Sequence, residues 1–294
     1  CETLRMKRTL YLFLLPTVAA LLLVEGYPAI YSLYLSVTQF PEPAFVGADN
    51  YIQMATDPVF WESLRVTLLY VSSSVTLAFI IGLAFALFLF HEKRQNRILH
   101  TILILPIAVS PLIAGLLWSP SAIWDDINVF LKFVLGLPTI IMTNPNFAMT
   151  LMIISESWLW APLFMLVFLS VLQSIPKEIL EAAEVHGAST FQIFGRITFP
   201  LIIRSPVVVI IVAIKTIDTF RSFEIPFTWI GWIGQEKLGS PIDTLSVIMY
   251  KMMIFPIYEF PISYVATISL TLLVISLIVT AVILRVGRIL WETT

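Results

Sequence analysis

Five ionisable side chains stand inside otherwise apolar stretches of this chain. Glu156 lies in Ser155-Glu156-Ser157-Trp158-Leu159-Trp160, and Lys215, Asp218, Arg221 and Glu224 share one further run. A charge at mid-bilayer costs about 2.5–3.5 kcal/mol on the insertion scale, so each needs a partner, a protein interface or water. The last four follow at intervals of three with alternating sign, and i,i+3 neighbours meet on a helix surface. This spacing predicts Arg221 flanked by Asp218 and Glu224. Three residues advance a helix by about 300°, so the four groups spiral over roughly half its circumference. They either line a polar path or interface, or form an ion-pair ladder that pins the span to its neighbours. Glu156 divides the same way: Trp158 and Trp160 line a cavity with it, or form the aromatic belt of a membrane interface.

Other chemistry is excluded by what the sequence lacks. It contains no G-x-x-x-x-G-K-[ST] phosphate loop and no nucleophile–base constellation. His91, His100 and His186 are scattered without metal-ligand spacing, and the one cysteine, Cys1, stands at the end. No basic patch suggests nucleic acid. No catalytic, cofactor-binding or metal-ligating residues are therefore assigned. The 294 residues are 59% hydrophobic and 12% charged, against about 25% charged in soluble domains. With a mean hydropathy of +0.93, the chain reads as an all-α integral membrane protein.

One polar element interrupts this apolar background. Residues 176–200, PKEILEAAEVHGASTFQIFGRITFP, predict two short helices. Ser174 or Ile175 caps the first, Pro176 fits its opening turn, and Glu178 and Glu181 sit near its positive end. Gly187 stops it. Ser189 and Gln192 form an S-x-x-Q capping box for the second, on which Phe191, Phe194 and Ile197 recur along one side until Pro200 closes the unit. Such a helix–Gly–helix elbow with an apolar face needs a partner surface.

Six apolar segments surround it. The first, 9–24 continuing over 29–37, is long and kinked at Glu25-Gly26-Tyr27-Pro28, with no signal-peptide cleavage site. The others cover 66–90, 98–118 (kinked by Pro106 and Pro111), 147–173, 201–230 and 262–284, enough to cross about 30 Å of hydrocarbon. A short helix is expected around 127–135, and a loop over 231–261 that dips back towards the membrane. Residues 1–62 separate as a first span and outer loop, and 63–294 as a five-helix core containing the elbow over 174–200. Eleven of the seventeen Lys and Arg fall on one side: Arg5, Lys7, Arg8, Lys93, Arg94, Arg97, Lys177, Arg196, Arg204, Arg285 and Arg288. The positive-inside rule then places both termini and the elbow in the cytoplasm.

Glu181-Ala182-Ala183, then Gly187, then Ile197 and Pro200 resemble the EAA loop of type I ABC importer permeases, with His186 where most relatives carry aspartate. Tyr27-Pro28, the run 45–51, the ladder over 215–224 and Thr244-Leu245-Ser246-Val247 resemble carbohydrate-importing members, of the trehalose, maltose or glycerol-3-phosphate type. The resemblance covers about 10–290. Relatives have a Gly-rich stretch after the ladder, where this chain has Trp229-Ile230-Gly231-Trp232-Ile233-Gly234.

The resemblance implies a six-span, N-in/C-in permease of a prokaryotic cytoplasmic (inner) membrane. It would pair with a second homologous permease, two ABC ATPase subunits carrying ATP and Mg, and an extracytoplasmic substrate-binding protein. Glu181, Ala182, Ala183, His186, Gly187, Ala188, Phe191 and Phe194 would form the coupling surface. Glu156, Trp158, Trp160, Asp218, Arg221 and Glu224 are the candidates for the solute path, where aromatic faces suit sugar rings. A flanked Arg221 favours a neutral sugar over a glycerol phosphate. A membrane-embedded enzyme would have only Glu156 and Asp218 to work with, and a channel or secondary transporter would need inverted repeats that the sequence does not display.

Overall fold

The structure is a computed structural model that describes residues 14–41, 44–91, 97–119, 124–134, 136, 145–230, 238–255 and 261–292. The expected cations at 5, 7, 8, 93 and 94, and the loop over 231–237, lie outside the described residues. The described chain is helical apart from one small hairpin. It divides into two compact units, Cys1–Phe60 with Met249–Leu273 and Trp61–Ile248 with Val274–Thr294.

In the first unit, α1 (Leu14–Ser36) runs unbroken through the Glu25–Pro28 interruption. A π turn over Leu22–Gly26 absorbs it, so the missing N–H of Pro28 falls at the start of a new α segment, where no partner is needed. Strands β1 (Thr38–Gln39) and β2 (Ala44–Phe45) pair antiparallel, Thr38 opposite Phe45. Helix α2 (Asp49–Thr56) closes over them. Buried Asn50 donates from Nδ2 to the carbonyls of Ser36 (2.9 Å) and Thr38 (3.1 Å), satisfying the end of α1.

The second unit is built around α3 (Pro58–His91) and α7 (Pro145–Gln173), two of the four helices long and apolar enough to cross a membrane. They approach closely at Gly82, where a Cβ would lie 2.5 Å from that of Phe164 and 2.9 Å from the Ala161 carbonyl. Between them in sequence come α4 (Arg97–Ala108), α5 (Pro111–Trp118) and α6 (Asp125–Phe133). The expected kinked third span is instead two helices at 99°. Val109 and Ser110 are extended, Ser110 because a residue before proline avoids the helical region, and Ser110 Oγ accepts from the N–H of Ile113 to start α5 anew.

After α7 come α8 (Lys177–Val185) and α9 (Thr190–Arg204), then α10 (Pro206–Arg221) and α11 (Glu224–Ile230). The predicted span over 201–230 is therefore corrected at both ends of α10. Ser205 is extended ahead of Pro206, giving a 62° bend, and Ser222 breaks the helix again. Gly115 of α5 packs on α11 so closely that a Cβ would meet Thr228 Oγ1 at 2.6 Å. Tyr70, Ala114, Met152, Leu159, Ile225 and Trp229 from α3, α5, α7 and α11 share one buried core. Within 231–261, expected as loop, α12 (Leu245–Ile254) is a short apolar helix, and α13 (Ile262–Glu292) follows. Taking each bent pair as one span raises the four membrane-length helices to six.

Candidate functional site

The elbow is built by its caps. Helix α8 ends in a Schellman motif: the N–H of Ala188 donates to the Ala183 carbonyl (3.0 Å) and that of Gly187 to Glu184 (2.9 Å). The motif requires a left-handed residue, and Gly187 supplies it at φ 80°. His186 holds the same end, its Nδ1–H donating to the Ala182 carbonyl at 2.7 Å. The predicted capping box is present: Ser189 Oγ accepts from the Gln192 N–H, and Gln192 Oε1 accepts from the Ser189 N–H at 2.8 Å. Val185 and Phe191 flank this turn at 85% and 83% exposure, while Glu181 and Ala182 lie exposed on α8.

Three details of the elbow differ from expectation. Pro176 occupies the N-cap of α8, and Ser174 donates backwards to the Val171 carbonyl (2.7 Å). Pro200 does not end the second helix, because a π turn over Phe194–Thr198 shifts the hydrogen-bond register just before it. The same turn breaks the predicted apolar stripe: Phe191 stays exposed, whereas Phe194 is half-buried against Phe199 (ring centroids 5.6 Å).

The intramembrane charges assemble across three helices. Lys215 of α10 donates to Glu156 Oε1 of α7 at 2.6 Å and to Asp218 at 2.7 Å, and its ammonium lies 4.0 Å from the Trp160 ring centre. The second oxygen of Glu156 accepts from Tyr70 of α3 (3.0 Å) and from Ser222 (3.3 Å). An ammonium with two carboxylates and an aromatic face is fully satisfied away from water. Beside this network a cavity of about 240 Å³ is lined by Pro111, Glu156, Trp160, Asp218, Arg221, Ser222 and Glu224.

Five of the six path candidates thus meet in one place. Trp158 does not; it packs on Trp118 at 6.1 Å. Trp160 follows Glu156 by four residues and shares its helix face, whereas Trp158, two residues on, points elsewhere. The ladder is also corrected. Among the described residues Arg221 makes no ion pair, since Asp218 is taken by Lys215 and the break at Ser222 separates Arg221 from the face of Glu224. Tyr70 was missed, and Ser222, one of the polar residues of the span over 201–230, was not singled out. A tyrosine in an uncharged span carries no local signal.

The sequence profile of binding-protein-dependent transport system inner membrane components matches residues 74–290. The chain belongs to this family. It is accordingly a multi-pass transport permease, a non-catalytic membrane component rather than an enzyme. This permease is 31% identical over 284 residues to the trehalose/maltose transport system permease protein MalF of Thermococcus litoralis, covering 95% of this chain and 93% of that one. It is 27% identical over 239 residues to the trehalose transport system permease protein SugA of Mycobacterium tuberculosis, covering 80% and 76%. Its fold is shared with a bacterial alginate ABC transporter crystallised with an alginate pentasaccharide-bound periplasmic protein. That match has a TM-score of 0.81 at 21% identity, over 99% of this chain and 98% of that one.

Proposed function

We propose that this permease carries a di- or oligosaccharide of the trehalose or maltose kind across a prokaryotic inner membrane by alternating access. The observation that carries the reading is the cavity beside Glu156 and Lys215, combined with the trehalose and maltose transport named for its relatives. Its lining suits a polyol: Trp160 offers an aromatic face, and Ser222, Asp218 and Glu224 offer hydrogen-bonding groups. With Lys215 counted, three carboxylates stand against two cations, an excess of negative charge that opposes a phosphate-bearing solute even though Arg221 makes no ion pair among the described residues. At about 240 Å³ the cavity is smaller than the roughly 300–1,000 Å³ of small-molecule sites. A second homologous permease would supply the remainder.

In this reading the permease has six spans with both termini cytoplasmic, residues 1–62 being a kinked first span and outer loop and 63–294 the five-helix core. Two ATPase subunits lie below the two permeases, and one of them grips this chain's elbow through Glu181, Ala182, Ala183, His186, Gly187, Ala188, Phe191 and Phe194. ATP and Mg are held by those subunits. A substrate-binding protein delivers solute from outside. Each transport state is a distinct packing, so ATP binding must make contacts in one state that are lost in the other.

Reconstitution with the partner permease, ATPase and binding protein tests this. Trehalose or maltose should stimulate ATP hydrolysis and glycerol 3-phosphate should not; equal stimulation by the phosphate would reject the sugar reading. Trp160→Leu should raise the half-saturating sugar concentration while Trp158→Leu leaves it unchanged.

A further inference from the structure

A second, larger cavity of about 710 Å³ lies away from the Glu156 network, at the opposite end of the same helices. Leu89 and Phe90 at the end of α3 and Leu169 near the end of α7 form its apolar floor. Its polar groups come from three elements: Arg97, His100 and Thr101 of α4, Gln173 of α7 and Lys177, the first residue of α8. No acidic residue lines it among the described residues. Among the described residues Arg97 and Lys177 also make no ion pair, whereas buried Lys215 is doubly paired.

We propose that this cavity binds a phosphate-bearing anion. Two cations converging on one space with no counter-charge among the described residues repel each other until an anion joins them, and Gln173 and His100 add donors suited to phosphate oxygens. The Thr101 hydroxyl is engaged by the Arg97 carbonyl (2.9 Å). Size and lining say more about the ligand. A space of 710 Å³ far exceeds a bare phosphate, and an apolar floor beneath a basic rim matches a headgroup with its glycerol and upper acyl carbons. Both α3 and α7 end here, at His91 and Gln173, which is headgroup depth for a spanning helix. A ligand seated here ties the root of α8 to the ends of three membrane helices.

The full chain, purified in phosphate-free neutral detergent, distinguishes the sources. Phosphatidylglycerol retention is read by native mass spectrometry, and inorganic phosphate binding by the shift in unfolding temperature. Arg97→Gln with Lys177→Gln should weaken binding on the order of thirtyfold, at about fivefold per charge removed near the surface. Arg204→Gln, a cation outside the cavity, should leave binding unchanged. Thr101→Trp, which puts an indole between the cations and the apolar floor and keeps every charge, decides the matter should the double variant fail to fold. Sensitivity of the lipid alone identifies a membrane headgroup, and sensitivity of inorganic phosphate identifies a soluble anion. Equal binding of both probes by wild type and Thr101→Trp, or no binding of either by wild type, overturns the site.

Discussion

Lys215 and Glu156 expose only 2% and 3% of their side chains, and each is the other's principal charge partner. Breaking a buried pair from one side leaves an uncompensated charge, at a cost of about 3–5 kcal/mol, whereas replacing both partners by neutral groups is often close to neutral. Lys215→Met should therefore destabilise the purified chain by about that amount in detergent unfolding, and Glu156→Gln with Lys215→Met should recover most of the loss. Additive effects in that double-mutant cycle would show that the 2.6 Å contact carries no energy. At this scale the sequence was partly legible. A charge in an apolar run announces that it has a partner, and the i,i+4 spacing of Glu156 and Trp160 announces a shared face. It does not announce which span supplies the partner. Arg221 was misread for the complementary reason: i,i+3 spacing holds only while the helix continues, and α10 ends at Arg221 itself.

Elements were legible where the signal was local. The Schellman end at Gly187 and the Ser189–Gln192 box follow from residues within six positions of each other, and both are present. A Cβ at 187 would touch nothing within 4 Å, so Gly187→Ala tests backbone conformation alone. Left-handed φ costs an L-residue about 1–2 kcal/mol. Gly187→Ala should thus reduce ATP-driven uptake partially, Gly187→Asn less, and Gly187→Pro almost completely, with membrane insertion intact in all three. Wild-type uptake by a well-expressed Gly187→Pro would remove the elbow from the mechanism. Gly82 is the opposite case. Its Cβ would collide with Phe164 and the backbone of α7, so Gly82→Ala should force α3 and α7 apart at a cost of about 1–3 kcal/mol, visible as a lower unfolding temperature. Nothing near Gly82 in sequence marks that contact. The prolines were legible as interruptions but not in degree: Pro28 and Pro200 are absorbed by π turns, while Pro111 and Pro206 begin new helices at 99° and 62°.

At the scale of the whole molecule the family relation fixes membrane residence, and the orientation proposed above stands on charge. Arg97, Lys177, Arg196, Arg204, Arg285 and Arg288, all described, belong to the elbow's side in that assignment, whereas α6 carries Lys132 with Phe130 and Phe133 exposed on the other. The chain's one cysteine, Cys1, makes this directly measurable once changed to serine. Cysteines introduced singly at Val185 and Phe191, the most exposed apolar positions of the elbow, should react with an impermeant thiol reagent only after the membrane is opened. A cysteine at Phe133, 76% exposed, should react in intact cells. Co-assembly with the ATPase adds a second expectation, because the same contact that transmits motion must cover the elbow: labelling at 185 and 191 should fall several-fold when the ATPase is present, and labelling at 133 should not change. Reaction of Phe191→Cys in intact cells would invert the molecule and place the elbow beyond reach of any nucleotide-driven partner, whatever the quality of its caps.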